Sequence, residues 1–173
     1  MFNDFIKPVV VLVLICLVIT GALAATNSVT EPIIADAAAM RAEQARHDII
    51  PEATGFKEIS TEGFPETVVE AYKSANDVGY VFIVSVSGYG GDIVIICGVN
   101  TDGRLIRSST LKQSETKGLG SLITESAFEN QFIGIDNRFL GVDTITGATI
   151  SSKAYISAVK DALTAFGMIG SRE

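Results

Sequence analysis

Between Pro8 and Ala25 the chain runs for 18 residues (PVVVLVLICLVITGALAA) without a charged side chain. As a helix this run is about 27 Å long at roughly 1.5 Å per residue, which just spans the hydrocarbon core of a bilayer. Ala22-Leu23-Ala24 also resembles a small-x-small cleavage site, so a cleaved signal peptide is the rival reading. The run exceeds the roughly 7–15 apolar residues of a signal core, which favours a retained anchor. Ile15, just before Cys16, is too large for a lipoprotein cleavage site. Lys7 is the one base ahead of the span, so charge says little about orientation. Either reading sends the rest of the chain across a membrane. The expectation is a single-pass protein of the cell (inner) membrane with an extracytoplasmic domain.

Composition bounds that domain. The 173 residues are enough for one ordinary domain, and 47% are hydrophobic against 19% charged, too apolar for a disordered chain. The net charge is −7, and the first 30 residues hold one acid (Asp4) and one base (Lys7), so the remainder is also −7. Such a domain has no electrostatic reason to hold nucleic acid. Cys16 and Cys97 are far apart, no CxxC occurs, and His47 is the single histidine, which argues against haem attachment, thiolate zinc, an iron–sulfur cluster or a His-rich metal site. His47 lies in an Ala/Arg/Glu-rich helical stretch with no nucleophile signature nearby, so a His-based hydrolase is not indicated.

Periodicity then divides the chain. Glu31–His47 reads as a helix carrying Ala37-Ala38-Ala39-Met40 and the charges Arg41, Glu43 and Arg46, ended by Pro51. Phe64–Ala75 reads as a short helix with Val68, Val69 and Tyr72 on one side. Tyr80–Ser87, Ile93–Val99 and Arg104–Leu111 are three strands, linked by Gly88-Tyr89-Gly90-Gly91-Asp92 and by Asn100-Thr101-Asp102-Gly103. Links this short make the strands an antiparallel meander. Ser114–Gly120 is a Gly-rich loop, Ser121–Phe132 partly helical, and Lys153–Phe166 an amphipathic helix with Tyr155, Ala158, Val159, Ala162, Leu163 and Phe166 on one face, ending at Gly167. The fold class is α+β: one amino-terminal transmembrane helix, then an antiparallel sheet with packed helices. The expected division is 1–30 as membrane anchor, 31–78 as linker helix and membrane-proximal part, and 79–173 as the functional core.

Chemistry concentrates where the last helix opens, in Asp143–Ser152 (DTITGATISS). A helix start leaves backbone N–H groups unpaired and carries partial positive charge. Thr146, Thr149, Ser151 and Ser152 add hydroxyls, while Gly147 and Ala148 leave the approach open, so the segment suits an anion such as phosphate. An ordinary Ser/Thr helix cap explains the same residues.

Asp143-Thr144-Ile145-Thr146-Gly147-Ala148-Thr149 resembles the D-x-x-[ST]-G-A-T pattern of domains that carry FMN covalently. The resemblance implies that a flavin transferase, using FAD with a divalent cation, joins FMN to Thr149 by a phosphoester, with Asp143 in the segment the transferase recognises. The chain is further similar to the G subunit of the Rnf complex, an ion-translocating ferredoxin:NAD oxidoreductase. A single span, Gly88-Tyr89-Gly90-Gly91, Asp102-Gly103, Glu115-Thr116-Lys117-Gly118-Leu119-Gly120 and the TGAT segment follow in the same order. The family loop reads E-T-P-G-L-G, and Lys117 replaces its proline, removing a backbone constraint. By this resemblance Glu115, Thr116, Gly118 and Leu119 join Thr146, Gly147, Ala148 and Thr149 around the cofactor, and residues 79–173 form the FMN-binding core. The GYGG turn either faces the flavin or simply connects two strands. Cys97 and Tyr155 belong to the core.

The same resemblance implies an electron carrier with no turnover of its own. It would work in a membrane complex with flavin and iron–sulfur subunits that couples ferredoxin:NAD electron transfer to Na⁺ or H⁺ translocation. Three alternatives stay open on the sequence. The C subunit of the Na⁺-translocating NADH:quinone reductase shares the motif but is generally longer between anchor and motif. A membrane-anchored flavin-binding protein outside electron flow is the second, and an interaction domain whose TGAT only caps a helix is the third.

Overall fold

The computed structural model describes residues 2–138 and 141–170. The chain falls into two compact units, Met1–Glu43 and Gln44–Glu173. The first consists of most of one helix, α1 (Phe2–Ile49). Within α1, Val9–Ser28 has a mean hydropathy of 2.8 and is long and apolar enough to cross a membrane. The separate helix expected over Glu31–His47 is continuous with this span. The polar residues between them do not break the helix: the hydroxyls of Thr26, Ser28 and Thr30 donate back to the carbonyls of Ala22, Ala25 and Thr26. α1 stops just before Ile50, the residue whose helical conformation Pro51 disfavours.

The second unit is built on a five-stranded sheet of order β1-β2-β3-β4-β5, antiparallel throughout: β1 (Phe56–Glu58), β2 (Val68–Ser74), β3 (Gly79–Ser87), β4 (Asp92–Asn100) and β5 (Leu105–Lys112). The expected meander is present, with Phe82 opposite Cys97 and Val84 opposite Ile95. Two strands change the sequence reading. The helix expected over Phe64–Ala75 is the strand β2. A bulge between Val68 and Glu70 breaks its two-residue alternation, leaving Val69 exposed beside the buried Val68 and Ala71. β1 is three residues long and too short to show a period. The sheet therefore includes strands upstream of residue 79.

Both faces of β3 and β4 are buried, which is why those strands read as nearly unbroken apolar runs. One face presents Phe82, Val84, Ile93, Ile95 and Cys97 to α3 (Thr149–Ile169), which buries Tyr155, Ala158, Val159, Ala162 and Leu163 against them. Short turns after β5 complete this core: a 3₁₀ turn at Gly120–Thr124, α2 (Ser126–Glu129) and a 3₁₀ turn at Asn130–Phe132, with Phe128 and Phe132 packed around Tyr155. Burial pushes the Tyr155 phenol and the Cys97 thiol well above their ordinary pKa values, so both stay protonated, and Tyr155 donates to Ser108 Oγ at 2.9 Å. α3 runs past the expected stop at Gly167 because Met168 and Ile169 pack on the core, outweighing the roughly 1 kcal/mol helix penalty of glycine.

The other face holds Val81, Ile83 and Ile96 against Ile49, Ile50 and Ala53. Close contact there depends on Gly98, where a Cβ would run into Ile49 Cγ2 and lie 3.2 Å from Ile50 Cγ1. Gly98→Ala in the detergent-solubilised chain is therefore expected to cost about 1–3 kcal/mol and to lower the thermal midpoint by several degrees. An unchanged midpoint in a melting experiment would contradict this packing.

Candidate functional site

α3 starts at Thr149 with Ala148 as its N-cap, and no side chain caps it. The ordinary Ser/Thr cap is thus absent. A missing cap costs about 1 kcal/mol, whereas each large side chain that α3 buries contributes about 1.5–3 kcal/mol, so packing holds the helix without it. The first α-helical bond runs from Ser152 N–H to the Ala148 carbonyl at 2.9 Å. The amides of Thr149, Ile150 and Ser151 precede it and have no partner within the helix. Gly147 has φ +82°, a conformation other residues reach only with strain. Ser152, fully buried, fixes the turn from beneath: its hydroxyl accepts from Ile145 N–H at 3.0 Å and donates to the Ala148 carbonyl at 2.9 Å.

In front of this helix start lies a cavity of about 520 Å³, lined by Tyr89, Glu115, Thr116, Leu119, Gly120, Gly147, Ala148, Thr149, Ile150 and Ser151. The size falls in the range of roughly 300–1,000 Å³ common to small-molecule sites. Its walls come from three separate stretches: the turn between β3 and β4, the loop after β5, and the start of α3. Tyr89, Leu119 and Ile150 are exposed, giving the cavity an apolar and aromatic rim beside open amides. Phosphate at the amides and a flat ring against the rim would each find fitting surroundings.

Glu115 is the buried acid of the site. Its Oε1 accepts from the N–H groups of Tyr89 (2.9 Å) and Gly90 (3.0 Å), and its Oε2 accepts from Ser151 Oγ (2.7 Å). Removing this acceptor leaves the buried Ser151 hydroxyl without it, at about 1–3 kcal/mol. A Cβ on Gly120 would lie 2.6 Å from Oε2 and 2.7 Å from Ser151 Oγ, so glycine there leaves room for the pair. The loop does not need the proline that Lys117 replaces. Leu119 N–H (3.1 Å) and Ser121 N–H (3.2 Å) both donate to the Thr116 carbonyl, and Gly118 N–H donates to Ser121 Oγ (2.9 Å).

The FMN-binding domain family matches residues 88–164, which include every wall of the cavity. The G subunit of an ion-translocating oxidoreductase complex from Methanosarcina acetivorans is 34% identical, over 93% of this chain and 94% of its own length. The chain belongs to this G-subunit family. Its counterpart in the Na(+)-translocating ferredoxin:NAD(+) oxidoreductase complex of Acetobacterium woodii is 29% identical over 86% of this chain and 85% of its own. The crystal structure of Shewanella oneidensis NqrC shares the fold, with a TM-score of 0.50 at 17% identity over 66% of this chain and 72% of that one. With this family, the apolar helix Val9–Ser28 reads as a membrane anchor.

Of the residues singled out in the sequence, the structure brings Glu115, Thr116, Leu119, Gly147, Ala148 and Thr149 to one cavity. Gly118 (φ +75°) shapes the loop, and Thr146 is exposed in the turn before α3; neither is among the lining residues. Asp143 is exposed on the approach, with its N–H donated to Gln131 Oε1 at 3.0 Å. Gly120 and Ile150 complete the walls without having been anticipated, and Tyr89 turns the GYGG connection into a wall. A second cavity, about 400 Å³, is lined by Asp48, Arg107 and Glu129 among others. Glu129 there caps the outer strand, accepting from Thr110 N–H at 3.0 Å, and burial raises its pKa. None of the three motif stretches reaches it. Among the described residues no His/Cys/Asp/Glu group could hold a metal.

Gly120→Ala should force the Glu115–Ser151 pair apart and lower stability by about 1–3 kcal/mol. A thermal melt of Gly120→Ala that coincides with the wild type would show that the close approach at Gly120 is unimportant.

Proposed function

We propose that Thr149 carries FMN as a phosphoester and that the chain is an electron-carrying subunit of a membrane complex. The single observation that carries this reading is the convergence of the ETKGLG loop, the GYGG turn and the TGAT helix start on one cavity, with Thr149 at an uncapped helix N-terminus. FMN, when bound, supplies electron transfer singly or in pairs, and so can link one-electron centres to two-electron carriers. The chain's own residues bind and orient it. The amides of Thr149, Ile150 and Ser151 and the helix dipole stabilise the phosphate charge. Gly147 and Ala148 keep the threonine accessible, and Thr116, Leu119 and Tyr89 flank the ring space. Thr146, Gly118 and Glu115 shape the surroundings.

Attachment would fall to a flavin transferase that recognises the segment from Asp143. It breaks the pyrophosphate of FAD, forms the bond from Thr149 Oγ to phosphorus, and releases AMP. A tether of this kind retains the cofactor on the extracytoplasmic side, where lost FMN is not replaced. On this reading residues 1–30 are the anchor and 79–173 the FMN-binding core, whose sheet is completed by β1 and β2 from the 31–78 stretch.

The Acetobacterium woodii relative, named for a Na(+)-translocating ferredoxin:NAD(+) oxidoreductase complex, supports the same role here. The chain would be one stop for electrons passing from ferredoxin to NAD through flavin and iron–sulfur partners, in a complex that moves Na⁺ or H⁺. Translocation itself would belong to the assembly.

Co-expression with a flavin transferase should give fluorescence that survives a denaturing gel, and Thr149→Val should abolish it. A dark wild-type band, with the transferase active on another acceptor, would overturn the assignment.

A further inference from the structure

We infer that Glu115 is the positioning residue of the flavin site, a latch that ties the Tyr89 turn to the first turn of α3 and does not act as a ligand of the flavin itself. The inference rests on the covalent-FMN reading above. Three features of the chain point to it.

Both carboxylate oxygens accept hydrogen bonds from the protein, which uses three of the roughly four acceptor positions of a carboxylate. Oε1 takes two consecutive amides of the β3–β4 turn, and Oε2 takes the buried Ser151 hydroxyl on the third residue of α3. These partners are 25, 26 and 36 residues away in sequence, so the side chain is a long-range tie and not a local loop cap.

The turn does not fix its own orientation. Gly88 N–H and the Gly91 carbonyl close it at 2.8 Å, but the Tyr89 and Gly90 amides at its tip find their acceptor only across the cavity wall, in Glu115. Tyr89 is 71% exposed and yet lines the cavity, so what holds its ring beside the site is the backbone bond to the latch and not side-chain burial.

The path of the latch is kept clear on both shoulders. A Cβ on Gly88 would collide with Glu115 Oε1, and one on Gly120 would crowd Oε2 and Ser151 Oγ. Gly88 and Gly120 are therefore explained by one carboxylate passing between them, whereas Gly90 lies against the Ser114 backbone carbonyl and Gly91 and Gly118 hold positive φ.

The test uses full-length protein flavinylated in cells and purified in detergent. Glutamine at 115 can still accept the two turn amides and pair with Ser151, but lacks the charge; alanine can do neither. Glu115→Gln should keep the wild-type visible circular dichroism and native-state flavin fluorescence. Glu115→Ala should lose the dichroism, with fluorescence rising toward that of free FMN, while the denaturing gel still shows full flavin attachment. Tyr89→Ala, an exposed position that retains its backbone amide, should reproduce the Glu115→Ala signature with the carboxylate in place, and it carries the test if Glu115→Ala fails to fold.

Two results would overturn the latch. One is a flavin spectrum unchanged in Tyr89→Ala. The other is a spectrum altered equally in folded Glu115→Gln and Glu115→Ala, which would make the charge a direct partner of the ring. A wild-type protein without flavin on the denaturing gel would instead defeat the covalent-FMN reading, so the two failures are distinguishable.

Discussion

Everything in the second unit depends on β3 and β4 being buried on both faces. Their apolar side chains alternate between two cores, so each face demands a cover. α3 covers one with Tyr155, Val159 and Leu163, and the end of α1 and the residue after it cover the other with Ile49 and Ile50. Once α3 is seated by that packing, its first turn lies beside the β3–β4 turn and the loop after β5. The position of the cofactor site is thus a by-product of core burial. The helix needs no side-chain cap to hold it, which is what leaves its leading amides available.

The site combines a permissive and a constrained part. Thr149, Ile150 and Leu119 stand at the surface, where an enzyme and a large cofactor can reach them. Beneath them Glu115, Ser151 and Ser152 are buried and held by hydrogen bonds. A buried, satisfied polar network is rigid because breaking any member leaves the others unpaired at low dielectric. That division suits a protein whose task is to hold one redox group in place.

Much of this was legible in the amino-acid pattern. β3, β4 and β5 declare themselves by β-rich runs and an Asp-Gly turn, and α3 by the 3.6-residue spacing from Tyr155 to Phe166. The anchor follows from an uncharged run alone. β2 was not legible, because a bulge at Val68–Glu70 erases the alternation that marks a strand and leaves a spacing that mimics a helix. β1 carries too few residues for any period. The membership of Thr149, Leu119 and Glu115 in one site came from resemblance, and their meeting required the fold. The role of Glu115 lay outside any local pattern, since its partners at Tyr89, Gly90 and Ser151 meet only through tertiary structure. The glycines beside it show the same limit: sequence marks a turn, and only the packing shows which atom needs the space.

The most direct test of the account is tandem mass spectrometry of the tryptic peptide covering residues 139–153, taken from protein matured alongside its flavin transferase. The account predicts the mass of an FMN phosphoester on that peptide, with fragment ions placing it on Thr149. An unmodified peptide, or fragments that place the group on Thr146, would contradict it.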